Sequence, residues 1–327
     1  MIAPRAARLA FILAPFLSSA VGAKTLTVGQ GQQFAAPSQA IAAAQDGDTI
    51  AIGPGSYFDC AIVHQNRLVI EGTGEGAVMT DRSCQDKAIL VIQADGVTIR
   101  NLTLARARVP DGNGAGIRLE APNLLVQRVT FDNDQVGVLG SSPSGTIQIE
   151  NSRFVDGGTS GDRALGAVMS PAAALLRIAN STFQNVNGSQ VWTAAAQTEL
   201  LGNTIATGVA PRAPIWATAG NLVMTDNTLT IGPNAPPQDA AVVLFDAATA
   251  TLRHNRLENR SGARLALLLD WSTGHPTLDG NTIAPGDTLS STAGVWRHRV
   301  SSSLHGAKDE LRGIAGQAKR SITAHLR

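Results

Sequence analysis

The chain has 327 residues, and its 26 Lys and Arg balance 25 Asp and Glu, so no excess charge favours nucleic acid or an anionic membrane as partner. Charged residues make up 16% and hydrophobic ones 43%, ample for a core, yet aromatics are only 4%, so that core is mainly aliphatic. The 33 glycines follow no collagen period and suit a structure with many tight turns.

The chain opens with the pattern of an export signal. Arg5 and Arg8 form a positive start, Leu9 to Val21 is apolar but broken by Pro15, and Val21-Gly22-Ala23 ends in small residues. This apolar stretch is too short for a membrane-spanning helix. The expectation is a signal peptide over 1–23, removed after Ala23, and a periplasmic or secreted mature protein with no transmembrane span. Next, Gln33 to Gln45 is Ala-rich with Pro37 at a first helical turn, which predicts a helix covering the N-terminal opening of the repeat region downstream.

One short pattern then returns along the chain: apolar alternation, Asn or Asp, a small polar residue, and a closing apolar residue. It reads VTIRNLTL (97–104), LLVQRVTF (124–131), TIQIENSRF (146–154), LLRIANSTF (175–183), TELLGNTI (198–205), LVMTDNTL (222–229), TLRHNRL (251–257) and TLDGNTI (277–283). The closing residues are separated by 27, 23, 29, 22, 24, 28 and 26 positions, the range of repeat architectures. A second apolar alternation lies between each pair, so a unit holds two or three short strands and has no room for a helix. Strands repeating in one direction pair with their copies and build a parallel β-helix of about 9–10 coils, stacked about 4.8 Å apart.

Several residues are expected to recur in register. Asn101, Asn151, Asn180, Asn203, Asn227, Asn255 and Asn281 fall at nearly the same turn, where Asn tolerates left-handed backbone and can stack as a ladder. Phe131, Phe154 and Phe183 share one register and should stack inside. Cys60 and Cys84 are 24 residues apart, about one coil, which predicts a disulfide clamping the first coils. Beyond Pro285, residues 286–327 read as a linker and a C-terminal amphipathic helix. Its apolar face holds Leu311, Ile314, Ala315, Ala318 and Ile322, with Lys308, Arg312, Lys319 and Arg320 largely elsewhere.

With its Ala-rich opening helix, "GDTIAIGPGSYFD" and coils of "VTIRNLTL" type, the stretch from Thr25 to Pro285 resembles the pectin-lyase-like superfamily. The resemblance implies an all-β fold, a single-stranded right-handed parallel β-helix over 24–285. That scaffold carries lyases, hydrolases, epimerases and proteins without a known reaction, and many of its members act on acidic polysaccharides. The Asp-Pro-His-Asp signature of alginate epimerases and the paired-Asp pattern of polygalacturonases are absent, and His254 and His275 stand alone.

Aligning the second strand of each unit gives one outward row of Arg118, Leu139, Val168, Trp192, Trp216, Leu244 and Leu268. The next outward row is Glu120, Ser141, Ser170, Ala194, Thr218, Asp246 and Asp270. Arg118, Trp192 and Trp216 are the candidate substrate-binding residues, the indoles as a platform for sugar rings. The loops 105–116, 132–135 and 156–164 follow successive coils on one edge. They bring Arg106, Arg108, Asp111, Asp132, Asp134, Asp156, Asp162 and Arg163 toward one another. Asp111, Asp134 and Arg163 are the catalytic candidates, since polyuronate chemistry needs a base near the ring carbon and a cation on the carboxylate. Asp132, Asp134, Asp156 and Asp162 are candidate Ca²⁺ ligands. The function expected is an exported β-helix that binds polysaccharide, with processing by a lyase, hydrolase or epimerase activity left open by the weak catalytic inventory. The alternative is a non-catalytic structural or glycan-binding β-helix of the cell envelope.

Overall fold

The computed structural model describes residues 22–140, 145–159, 165–207, 213–233, 240–246, 248–272 and 275–292. Residues 1–21 of the expected signal peptide, the C-terminal helix, Ser141, Asp162 and Arg163 fall outside them. Among the described residues the strands form three sheets of 11, nine and ten strands, paired in parallel. We call them the first, second and third sheets. Each full coil visits them in that order. Val97–Arg100 lies in the first, Thr103–Ala105 in the second and Ala115–Leu119 in the third, and Leu124–Gln127 then returns beside Val97–Arg100. The short strand Thr49–Ile52 is explained the same way. It is flanked by Thr25–Val28 and Val69–Gly72, and Gly53-Pro54 ends it where the chain turns into the second sheet.

Alternation puts one residue in two of the first sheet into the lumen. Ile50, Ile70, Ile99, Val126, Ile149, Ile178, Leu200, Met224 and Leu252 stack in register there, each at most 1% exposed. Burying such side chains stabilises by about 1.5–3 kcal/mol each before conformational entropy is counted. In the second sheet Phe131, Phe154 and Phe183 stack with ring centroids 4.6 and 4.7 Å apart and planes within 5°. The third sheet makes room for them. A Cβ on Gly116 would lie 2.7 Å from the Phe131 ring, and one on Gly137 would lie 2.6 Å from Phe154.

The turn from first to second sheet corrects one expectation. The seven asparagines occupy two adjacent rows, not one. Asn101, Asn151 and Asn180 hold the left-handed position, with φ of 54°, 50° and 49°, and are exposed. Arg128, Asp226 and His254 take that position in other coils, and Gly202 and Gly280 take it with no Cβ penalty. Asn203, Asn227, Asn255 and Asn281 sit one residue later and point inward. The side-chain oxygen of each of the last three accepts both the backbone and side-chain N–H of the Asn one coil before, at 2.9–3.1 Å. Ser152 and Ser181 extend the ladder, and Ser181 donates its N–H to Asn203.

Helix Pro37–Ala43 begins on Pro37 and buries Pro37, Ala40 and Ile41. It packs against Thr25–Val28, Thr49–Ile52 and Ala61–Val63. Cys60 and Cys84 are bonded, with Cα atoms 5.6 Å apart. They are not register equivalents, as their spacing had suggested. Ala61 pairs with Leu90, so the position beside Cys60 is Ile89. Cys84 instead belongs to the preceding turn, folded back onto Ala88, whose carbonyl accepts its N–H at 2.8 Å.

Candidate functional site

The third sheet carries the outward row, but in a corrected register. Arg118 pairs with Leu139, then Met169, Trp192, Trp216, Val243 and Leu269 in successive coils. Val168, Leu244 and Leu268 face the lumen, one residue away from the outward positions Met169, Val243 and Leu269. A slip of one exchanges the faces of a strand. In the second row, Ser170 pairs with Thr193 and both are fully buried. Asp270 pairs with inward-facing Leu244, and its carboxylate accepts the N–H and hydroxyl of Ser272.

Much of this outer face is covered: Leu139, Met169, Val243 and Leu269 are 5%, 5%, 3% and 2% exposed. Trp192 packs beside Leu139 and Met169, and Trp216 and Trp271 pack beside Val243 and Leu269. The indoles of Trp192 and Trp216 stay partly exposed, one coil apart in register.

Arg118 is the unusual member of the row. Its Nε is buried without a hydrogen-bond partner, and burial pushes the guanidinium pKa down. Glu120, two residues on, is committed elsewhere. Lys87 Nζ donates to its Oε1 at 2.6 Å and Gln93 Nε2 donates to its Oε2 at 2.9 Å. Burial raises the Glu120 pKa, and these donors, with the charges of Lys87 and Arg118, more than offset that, holding the carboxyl below its usual range. Lys87 and Gln93 did not stand out in the sequence, because a Lys in a turn and a Gln after a strand carry no pattern.

The edge between the second and third sheets carries the 105–116 and 132–135 loops and the described start, 156–159, of the third. Among the described residues, several of their charged side chains are held by neighbouring turns. Arg106 forms a two-pronged pair with Asp81, at 2.7 and 2.6 Å. Arg108 donates to the Asn133 side chain, and Asp156 accepts from Asn185 at 3.0 Å. Asp111 is exposed and Asp132 half-buried. Asp134 is only 2% exposed: its Oδ1 accepts the Ala107 N–H at 2.7 Å, and its Oδ2 is buried without a partner. Burial pushes its pKa well above the usual carboxylate range. Asp134 therefore holds the turn through the Ala107 N–H. Among the described residues no three His, Cys, Asp or Glu side chains gather where they could hold a metal ion. Gln135, which the sequence did not mark, fixes the 106–114 loop by accepting the N–H groups of Val109 and Gly114 at 2.9 and 2.8 Å.

These coils define a right-handed parallel β-helix. The family model described as "Right handed beta helix region" matches residues 46–205. Among solved structures, a PL6 family alginate lyase, AlyGC, superposes with a TM-score of 0.54 at 16% identity, over 83% of this chain and 41% of that one. A pectin methylesterase from carrot superposes with a TM-score of 0.52 at 13% identity, over 84% of this chain and 89% of that one. The chain thus spans under half the length of the lyase. No curated protein sequence matches it. At these identities the likeness is one of fold, the parallel β-helix.

Proposed function

We propose that this is an exported β-helix protein that binds an acidic polysaccharide along the outer face of its third sheet. Arg118 carries the reading. A half-buried guanidinium whose Nε lacks a hydrogen-bond partner is costly unless an anion meets the group from outside. Trp192 and Trp216 lie three and four coils further along the same row and offer flat apolar faces for sugar rings. Export is supported by the signal-like N-terminus and by the disulfide, a bond typical of oxidising compartments. Among the described residues no helix is long and apolar enough to cross a membrane. The fold is shared with enzymes named for alginate and for pectin, both uronate polymers.

The test is calorimetric titration of the mature chain with alginate, pectate and an uncharged glucan. Binding to an acidic polymer is expected, weakened about ten-fold or more by Arg118→Gln and also weakened by Trp192→Ala. No binding to any acidic polymer would overturn the proposal. The same samples, with and without Ca²⁺, are followed for the absorbance of unsaturated uronates. That arm tests the lyase form of the proposal, for which the sequence offers Asp111, Asp134 and Arg163 as catalytic candidates and Asp132, Asp134, Asp156 and Asp162 as calcium ligands. A flat trace leaves a binding protein without lyase activity on these polymers.

A further inference from the structure

The binding reading makes Arg118 the anion receptor, and the role inferred for its neighbours rests on that reading. Arg118 and Glu120 are two residues apart on one extended segment, so both side chains leave the same face of the third sheet. An Arg and a Glu so placed would ordinarily pair, and the receptor would neutralise itself. Here Glu120 is taken from the preceding coil. Gln93 stands beside it, one step beyond the Ile92–Leu119 register pair, and Lys87 reaches it from the turn before Ala88. That turn is anchored by the Cys60–Cys84 bond and by the Lys87 N–H, which donates to the Cys84 carbonyl at 2.9 Å. Both carboxylate oxygens are thus occupied, while Arg118 Nε has no partner.

We infer that Lys87 and Gln93 are positioning residues that pre-empt Glu120, so that the Arg118 guanidinium stays free for a carboxylate or sulfate on a sugar. The cation of Lys87 acts through Glu120 and not on the ligand. Removing it releases an acceptor that Arg118 reaches by rotating its side chain. The ligand then has to compete with an intramolecular carboxylate.

The test compares Lys87→Met, Glu120→Gln and the double variant, using an oligogalacturonate as probe. Lys87→Met is expected to weaken binding about ten-fold, Glu120→Gln to change it less than about two-fold, and the double variant to return close to wild type. Plain charge counting gives a different pattern, in which Glu120→Gln strengthens binding as much as Lys87→Met weakens it; that result would overturn the inference. A second readout needs no ligand. The Arg118 Nε–H resonance, assigned by its loss in Arg118→Gln, should shift in Lys87→Met and return in the double variant. An unmoved resonance in Lys87→Met would also overturn the inference. If no sugar binds wild type, the binding reading fails, and the resonance still decides whether Lys87 keeps Arg118 free. Lys87→Gln serves as the second variant if Lys87→Met lowers the yield of folded protein.

Discussion

A buried carboxyl with one satisfied oxygen is a pH-dependent element of the fold, and Asp134 is such a group. Desolvation dominates and raises its folded pKa above the unfolded value, although the Ala107 N–H, Arg108 and Arg106 favour the charged form; Asp132 disfavours it. The folded state therefore keeps this proton to higher pH than the unfolded chain does. Its contribution to stability is fully present below the unfolded pKa and is lost as pH rises through the folded one. Asp134→Asn should remove that slope. Denaturant midpoints taken between about pH 4 and pH 8 should fall less steeply with pH in the variant, and an unchanged slope would assign it to other groups. Asn keeps the acceptor for the Ala107 N–H, so the turn itself should survive. The sequence marked Asp134 as chemistry because Asp in a loop beside Arg looks catalytic. Its burial follows from Asn133, whose φ of 55° turns the next side chain inward, and no local composition reveals that.

The inward asparagine ladder is the element whose loss should be felt most. Asn227 accepts twice from Asn203 and donates to Asn255 and to the Leu200 carbonyl. Asn227→Ala leaves several buried groups unpaired and should cost about 2–4 kcal/mol, read from urea unfolding. A change under about 0.5 kcal/mol would mean that water replaces the amide without loss. The disulfide acts at the same scale. Cys60→Ser with Cys84→Ser should cost about 3 kcal/mol by loop closure and lower the melting temperature. Because that bond holds the turn carrying Lys87, hydrogen exchange should rise around 81–87 before it rises in distant coils. Uniform exchange across all coils would count against such local anchoring. The strands and the Phe stack were legible in the sequence, since period-two alternation recurs with a fixed closing residue; the cysteine pairing was legible from a spacing near one coil, though not its register. The register of the third sheet was not. Its strands VMS, AAVVLFD and ALLLDWS are apolar on both faces, and without alternation nothing in the sequence separates Val168 from Met169.

At the scale of the whole molecule, each coil touches chiefly its neighbours, so stability is expected to be nearly a sum of local terms. Length variation among the coils is not shared evenly. From Arg100 onward, two residues separate first-sheet from second-sheet strands in each successive coil, from Asn101-Leu102 to His254-Asn255. Between second and third sheets the connection runs from three residues, 133–135, to twelve, 156–167. One corner is therefore a clock and another an open margin. Inserted residues at the margin leave every hydrogen-bond ladder intact, whereas one inserted at the clock reverses the faces of the strand after it. New binding chemistry can be written onto this chain along a single edge, next to the Arg118 face, while the other corner keeps the frame readable.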